Sequence, residues 1–281
     1  KAANALGCHG SVPILNILLP VGISFYTFQS LSYTIDVWRG NLRPEKNIIT
    51  YGHYVSLFTQ LLAGPIVKAR DFLPALKDRA SHFLVTHGHV STALFLILTG
   101  LLKKTGADWL AGSIVDRVYA SPHMFLPLET LTAVYAYGLQ IYGDFSGYSD
   151  MAIGCAMLLG YRLPENFRRP YLSASVSEFW QRWHISLGSW LRDYLYISLG
   201  GNRKRVLLNI GITMFLCGLW HGAAVPFVIW GLYHGFIMIV ERIFKRNRGK
   251  PAHPLLRGLR IMITLHAVLF GWIIFRSDSW E

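Results

Sequence analysis

Charged side chains are scarce in this sequence, and acidic ones are the scarcest. Only 15% of its 281 residues are charged, with 15 Asp and Glu against 27 Lys and Arg. Soluble domains carry about 25% charged residues, so the composition excludes an ordinary soluble domain. With 52% hydrophobic residues and a mean hydropathy of +0.35, the chain is equally unlike a disordered segment. It is predicted to be a polytopic membrane protein.

The sequence is also poor in cysteine. Cys8, Cys155 and Cys217 are too few and too widely spaced for a disulfide framework or a zinc site. The histidines at positions 82, 87 and 89 lack a nearby carboxylate and the spacing of metal ligands. A Walker motif, a serine nucleophile elbow and a Cys-His pairing are missing as well. No metal site is therefore predicted.

The excess of positive charge is divided into short clusters between apolar stretches. The net charge of +12 is distributed in the way typical of cytoplasmic loops that face anionic lipid. A nucleic-acid-binding protein would gather its charge on one polar face, so no nucleic acid is expected among the partners. The clusters are Arg39/Arg43/Lys46, Lys68/Arg70/Lys77/Arg79, Lys103/Lys104, Arg162/Arg168/Arg169, Arg203-Lys204-Arg205 and the basic residues of 242–260.

Several apolar runs approach the roughly 20 residues that a membrane-spanning helix needs. A shorter run, residues 53–67, is interrupted by Gly64-Pro65 and indicates a re-entrant segment that protein or a water-filled cavity must cover. No repeat or long linker divides the chain, so residues 1–281 are predicted to form a single domain. The candidate spans are residues 13–35, 84–102, 128–143, 148–161, 206–222, 225–243 and 258–276.

The basic clusters orient the C-terminal part of the chain. Arg203-Lys204-Arg205 precedes one apolar run and residues 242–250 follow the next, so both loops are expected in the cytoplasm and residues 223–226 on the other side. His221 lies sixteen residues after Arg205, which places it about 24 Å along the helix and deep in the bilayer. The orientation of the N-terminal part stays open.

Residues 177–194 have the pattern of one continuous amphipathic helix. At 100° per residue, the aromatic and aliphatic side chains fall within an arc of about 160°, and His184 lies on that arc. Such a helix is expected to lie along the membrane interface or to line a cavity. His184 is then either an active group or a buried neutral imidazole bonded to a carbonyl.

His221, within Gly218-Leu219-Trp220-His221-Gly222, is the second candidate for chemistry. Ionisable groups inside a membrane are costly and usually face a cavity or a partner, and a neutral histidine is the natural general base near pH 7. The alternative is a hydrogen bond between helices. His234 and His266 are weaker candidates of the same kind.

A third constellation, residues 142–150, joins two apolar runs and contains Asp144 and Asp150. Carboxylates in an apolar environment need partners. They either pair with Arg or His or organise a turn, and the structural role is favoured. The glycines lack the spacing of a nucleotide-binding loop and no Lys follows them.

These motifs resemble the membrane-bound O-acyltransferase family, and its bacterial alginate O-acetyltransferase branch above all. The resemblance rests on Glu178-Phe179-Trp180-Gln181-Arg182-Trp183-His184-Ile185-Ser186, on the Trp190-Leu191-Arg192-Asp193-Tyr194 stretch that follows, and on Gly218-Leu219-Trp220-His221-Gly222. It extends to Ala63-Gly64-Pro65-Ile66, residues 140–150, Pro164-Glu165-Asn166-Phe167 and Phe275-Arg276-Ser277. Family members are longer at both ends, so the chain is expected to be a central fragment.

The resemblance implies an all-α bundle of transmembrane helices with re-entrant segments around a central tunnel. His221 matches the catalytic histidine of the family and His184 its second active-site position. His221 would remove the proton of the acceptor hydroxyl and protonate the leaving thiolate, and His184 would hydrogen-bond the acceptor, the thioester oxygen or His221. The residues predicted to bind substrate are Trp220, Trp183, Arg192, Asn166, Asp144 and Asp150.

The function expected from the resemblance is a multi-pass O-acyltransferase of the inner (cytoplasmic) membrane. It would move acetyl from cytoplasmic acetyl-CoA, as a substrate and with no permanently bound cofactor, toward an exported, alginate-like polysaccharide. A periplasmic or surface acetyltransferase would be its accessory partner. One alternative is D-alanyl transfer to teichoic acid from a carrier protein. The other is a proton-coupled transporter, although the inverted repeats common in transporters are missing.

Overall fold

The computed structural model describes residues 22–61, 64–77, 86–245 and 253–277, and this part of the chain is built of helices without a β-strand. The α-helices are α1 Ile23–Trp38, α2 Ile48–Ser56, α3 Phe58–Leu61, α4 Ala69–Lys77, α5 His87–Leu110, α6 Asp116–Ala120, α7 Pro127–Leu158, α8 Val176–Trp180, α9 Ile185–Trp190, α10 Val206–His221, α11 Val225–Lys245 and α12 Pro254–Arg276. Residues Ala111–Val115 and Leu191–Tyr196 are π-helical, and Pro122–Met124 and Pro170–Leu172 are 3₁₀ turns.

Three helical stretches in the described residues are long and apolar enough to cross a membrane. They are His87–Ala120, Val225–Phe244 and Pro254–Arg276, and α10 is a shorter apolar helix. The predicted spans at residues 84–102, 225–243 and 258–276 overlap the three long stretches. The prediction of an all-α polytopic membrane protein is thereby confirmed. Residues 13–21 of the first predicted span lie outside the described part.

Helices α5 and α7 pack along most of their lengths because glycines let their backbones approach. A Cβ on Gly100 would lie 2.5 Å from the carbonyl oxygen of Gly147, and one on Gly154 would lie 2.7 Å from that of Ala93. Small residues at such contacts are the usual means of joining helices in membranes.

The prediction of a break at residues 142–150 is wrong, because α7 runs continuously from Pro127 to Leu158. Its glycines belong to the contact with α5 and form no turn. Its carboxylates meet lysines of α5: Lys103 Nζ lies 2.5 Å from Asp150 and Lys104 Nζ 2.7 Å from Asp144. A helix can carry both acids because their charges are neutralised across the helix pair.

Helices α10 and α11 form the second close pair. A Cβ on Gly218 would lie 2.3 Å from the carbonyl oxygen of Phe227, and one on Gly231 would lie 2.4 Å from that of Met214. The connection between them is short, from Gly222 to Ala224. A turn between the two apolar runs is thereby confirmed, and the side of the membrane on which it lies stays a prediction.

The main core lies between these helix pairs and is largely aromatic. Phe179, Trp183, Trp230 and Trp272 are each at most 4% exposed. The Trp230 and Trp272 rings are stacked with their centroids 5.9 Å apart, and Trp183 lies 4.9 Å from Trp272. The two candidate histidines lie at the edge of this cluster.

Candidate active site

His221 is the last residue of α10, and its ring is surrounded by aromatic side chains. The ring centroid lies 4.7 Å from Trp220, 5.2 Å from Trp230 and 5.2 Å from Phe275. Trp230 and Phe275 meet it nearly at right angles. The side chain is half-buried. The sequence therefore places a titratable imidazole in an apolar pocket at the end of an apolar helix.

His184 lies at a sharp bend, and the prediction of one continuous helix over residues 177–194 is wrong. Helix α8 ends at Trp180, His184 has the left-handed backbone φ 46° and ψ 54°, and α9 begins at Ile185. The cause is a segment distant in sequence: the Ile185 N–H donates to the Asn166 carbonyl at 2.9 Å, and the Arg168 N–H donates to the Arg182 carbonyl at 2.9 Å. These bonds replace helical ones and pull the chain out of the helix.

Asn166 holds the bend with its side chain. Its Oδ1 accepts from the Ser186 N–H at 3.2 Å and the Ser186 hydroxyl at 2.9 Å, and His184 Nδ1 lies 3.2 Å away. Its Nδ2 donates to Ser149 Oγ on α7 at 3.1 Å. All four side chains are at most 2% exposed. Asn166 was predicted to bind substrate, and the structure shows that its amide is occupied by this network.

Trp220 lies between the two histidines. Its ring is 6.5 Å from His184 and 4.7 Å from His221, and it is stacked on Phe28 at 5.2 Å. The structure thus brings together three predicted site residues from two parts of the chain. Two imidazoles beside one indole are the groups that acyl transfer to a hydroxyl needs, a base and an apolar surface for the acyl group.

Trp183 is a core residue next to the site. It is 4% exposed, and its ring packs 5.0 Å from Phe167 and 4.9 Å from Trp272. These contacts give it a packing role at the bend that carries His184. Its predicted role in substrate binding stays a prediction.

Asp144 and Asp150 lie on α7 and have lysine partners. The Asp150 side chain is 23% exposed and the Asp144 side chain 50%. Their ion pairs with Lys103 and Lys104 account for both charges without a substrate. Their predicted role in substrate binding also stays a prediction.

Arg192 is exposed and belongs to a charged cluster around Asp193. Its Nε lies 2.8 Å from one Asp193 oxygen, while Lys68 and Arg70 each lie 2.7 Å from the other. Burial alone would raise the pKa of the Asp193 carboxyl, but hydrogen bonds from Arg192 and Lys68 outweigh it and lower that pKa to about 2. Through these ion pairs, the cluster joins the start of α4 to the π-helical segment Leu191–Tyr196. Asp36, which is fully buried and accepts from the Tyr194 hydroxyl at 2.5 Å, extends it.

A cavity of about 1120 Å³ lies between α10, α11 and the bent segment. Along α10 its lining residues recur every three or four positions and so share one face. Cys217 is the last of them, and His221 follows one helical turn later on that face. Arg192, Tyr196 and Arg242 line the cavity near the basic loop that precedes α10. The α10 residues of the lining are Val206, Leu207, Ile210, Thr213, Met214 and Cys217.

His234, a weaker candidate from the sequence, is fully buried beside the site. Its Nδ1 accepts from Trp180 Nε1 at 3.4 Å, and its ring lies 5.2 Å from Trp230, which contacts His221. Trp180 also lines the cavity. His234 thus packs against Trp180, which lines the cavity, and against Trp230, which contacts His221.

Two contributors to the site escaped the sequence reasoning. The amphipathic pattern of residues 177–194 predicts a polar, outward face for Ser186, and Ser149 falls within residues 142–150, where a turn is predicted. For both serines, the one feature of the sequence that could have indicated a buried role is their position among aromatic residues. Elsewhere, within the residues that the structure describes, three or more His, Cys, Asp or Glu side chains nowhere gather in a way that could hold a metal ion. His82 lies outside those residues.

Two comparisons show which proteins this chain is similar to. The model of the membrane-bound O-acyltransferase family matches residues 42–277. The protein named "Probable alginate O-acetylase AlgI" of Pseudomonas aeruginosa is 44% identical over 270 residues, which cover 95% of this chain and 50% of that protein. The chain spans about half the length of the alginate O-acetylase relatives that it matches.

More distant relatives have other acceptors in their names. The peptidoglycan O-acetyltransferase of Helicobacter pylori is 32% identical over 95% of this chain and 56% of its own length. The teichoic acid D-alanyltransferase of Bacillus subtilis is 29% identical over 96% of this chain and 71% of its own length. With the family model covering most of the residues, including both histidines, the chain belongs to the membrane-bound O-acyltransferase family.

Proposed function

We propose that this chain forms the acyl-transfer centre of a multi-pass O-acyltransferase of the inner membrane. The enzyme moves acetyl from cytoplasmic acetyl-CoA toward an exported, alginate-like polysaccharide, with a periplasmic or surface acetyltransferase as its accessory partner. The observation that carries the proposal is the histidine pair around Trp220, one helical turn beyond the end of a large cavity. The names of the relatives support the acetyl group and the polymer.

The cavity is the proposed path of the acyl donor. We place its mouth where Arg192, Arg242 and Val206 line it, because Val206 directly follows Arg203-Lys204-Arg205, which the positive-inside rule assigns to the cytoplasm. The guanidinium groups suit the phosphates of acetyl-CoA, because Arg binds phosphate through two parallel hydrogen bonds. The remaining lining is mostly apolar and suits the pantetheine arm. The thioester would then reach the end of the cavity at Cys217.

His221 is the proposed general base. It takes the proton from the acceptor hydroxyl as the oxygen attacks the thioester carbonyl, and it returns that proton to the leaving sulfur. The carbon–sulfur bond breaks as the new ester bond forms, so no other reactant is needed. Trp220 contacts His221 and faces His184, which makes it the predicted binding residue best placed beside the acyl group.

The test is acetyl transfer in membranes containing the full-length protein and its accessory proteins. Labelled acetyl-CoA is the donor, and His221→Ala is compared with the wild type at matched expression. We expect the variant to lose about 100-fold or more of the rate, as removal of a general base does. His123→Ala, which changes an exposed histidine in a turn, is the matched control. Full activity in His221→Ala would contradict the proposal.

D-alanyl transfer is the second candidate, because the Bacillus subtilis relative bears that name. An acidic carrier protein would suit the same basic mouth. The assay separates the two by its donor. Transfer from a D-alanylated carrier protein, with none from acetyl-CoA, would replace the first proposal by the second.

A further inference from the structure

The tautomer of His184 follows from the contacts of Asn166. A backbone N–H can only donate, so the Ser186 N–H, 3.2 Å away, requires an oxygen at that end of the Asn166 amide. The Ser186 hydroxyl fits the same orientation, because it accepts from the Ile66 N–H at 3.0 Å and has its own hydrogen left to donate to the amide oxygen at 2.9 Å. Turning the amide would place two donors against each other.

Because the amide atom facing His184 is an oxygen, His184 Nδ1 must carry the hydrogen that lies between them. In a neutral ring Nε2 then has a free lone pair. This Nε2 is buried and has no hydrogen-bond partner in the described part of the chain. Phe145 packs edge-on against the His184 ring, with the centroids 4.6 Å apart, and the Trp220 ring lies 6.5 Å away.

The backbone at His184 supports a role beyond packing. A non-glycine residue with φ 46° is held in a sparsely populated region, and such strain persists only where the surroundings enforce it. Here the backbone bonds that hold the bend come from the segment around Asn166: the Ile185 N–H donates to the Asn166 carbonyl, and the Arg168 N–H donates to the Arg182 carbonyl. The residue with the strained backbone therefore also carries the unpartnered Nε2 atom. Its ring centroid lies 6.5 Å from that of Trp220.

Resting on the acyl transfer proposed above, we propose that Asn166 is a positioning residue that fixes His184 as the Nδ1–H tautomer, so that Nε2 accepts a hydrogen bond from an N–H or O–H of the substrate. A neutral His184 in this state cannot donate to the thioester oxygen, which removes one of the three roles considered from the sequence. Two substrate groups have the required chemistry: the acceptor hydroxyl, and the amide N–H nearest the thioester in acetyl-CoA.

The kinetic test compares three variants of the full-length protein with wild type in the acetyl-transfer assay. Asn166→Ala should lower kcat/KM about tenfold or more, because the tautomer is no longer fixed and a buried hydrogen bond is lost. Asn166→Asp keeps an acceptor oxygen toward Ser186 and His184 and should recover most of that loss. Ser149→Ala removes the partner of Nδ2 but leaves Oδ1 in place, so it reports purely structural damage.

The two substrate groups are separated by which KM changes. A higher KM for acetyl-CoA in Asn166→Ala assigns the amide N–H, and a higher KM for alginate oligosaccharides assigns the acceptor hydroxyl. His184→Gln, whose amide oxygen reaches about as far as Nε2, should retain more activity than His184→Asn. Wild-type kinetics in Asn166→Ala, or no recovery in Asn166→Asp when Ser149→Ala is active, would overturn the proposal.

A spectroscopic measurement tests the tautomer without any turnover. In protein labelled with ¹⁵N-histidine, ring-nitrogen shifts distinguish a protonated nitrogen from a bare one, and the His184→Gln sample identifies the His184 signals. We expect Nδ1 protonated and Nε2 bare in the wild type, with the preference reduced in Asn166→Ala. A protonated Nε2 in the neutral wild-type ring would refute the inference. This readout is independent of the donor, so it stays decisive if acetyl-CoA proves not to be the substrate.

Discussion

Replacing Gly218 with Ala tests whether the contact between α10 and α11 positions His221. The added Cβ would lie 2.3 Å from the carbonyl oxygen of Phe227 and 3.2 Å from the Cα of Gly231. Both are backbone atoms, so no side chain can rotate away. A carbon and a carbonyl oxygen approach to about 3.3 Å, and the two helices must therefore separate by about 1 Å.

The separation would occur three residues before His221, within one helical turn of the proposed base. A displacement of about 1 Å at a reacting group costs about 100-fold in rate. We expect a fall of that size in kcat for acetyl transfer, with KM for acetyl-CoA changed much less, because the mouth of the cavity is far from Gly218. Overpacking of this kind also costs about 1–3 kcal/mol of stability, which a thermal unfolding curve in detergent would show.

Gly211→Ala is the matched control on the same helix. A Cβ there would have its nearest neighbour, Ile239 Cδ1, at 3.9 Å, an ordinary contact. The exchange should leave the rate unchanged and stabilise the helix slightly, by up to about 1 kcal/mol. Equal rates in Gly218→Ala and the wild type, or equal losses in the two variants, would refute the reasoning.

Three further predictions concern charged groups. The pKa of Asp193 is lowered to about 2. Its contribution to the stability of the folded protein is therefore complete above about pH 4 and is lost as the pH falls toward 2. Melting curves of Asp193→Asn should lack that acid dependence. Arg192→Gln and Arg242→Gln should each raise KM for acetyl-CoA about fivefold and weaken its dependence on salt; an unchanged KM would exclude them from donor binding. Asp150→Asn should lower the melting temperature, because Lys103 loses its partner, and leave KM unchanged; a higher KM would instead support its predicted role in substrate binding.

The α10–α11 hairpin could be predicted from the sequence because all its signals are local. Arg203-Lys204-Arg205 marks the start, Gly222 and Pro226 lie at the turn, and the runs between them are apolar. The position of His221 at the far end of α10 followed from counting residues along a straight helix. Local patterns of this kind remain valid in the folded protein when no distant segment competes for the same backbone bonds.

The bend at His184 and the continuity of α7 could not be predicted, because both depend on distant contacts. The amphipathic pattern of residues 177–194 correctly indicates that Phe179, Leu187 and Tyr194 are buried, but it misses Ser186, which is buried as well. It contains no sign that the Ile185 N–H bonds to the Asn166 carbonyl. In α7, the acids that suggested a turn are neutralised by lysines about 40 to 47 residues away in the sequence.

The two histidines are held in place by different kinds of contact, so different substitutions should disturb His221 and His184. His221 is fixed by a helix pair whose backbones touch at Gly218 and Gly231, so changes of packing move it. His184 is fixed by side-chain hydrogen bonds through Asn166, so changes of polarity alter it while the helices stay in place. If the two act on one substrate, damage of the first kind should appear mainly in kcat. Damage of the second kind should appear mainly in the KM of the substrate that donates to His184. Combining Gly218→Ala with Asn166→Ala should then give additive losses of free energy, because each change disturbs a contact that the other leaves intact.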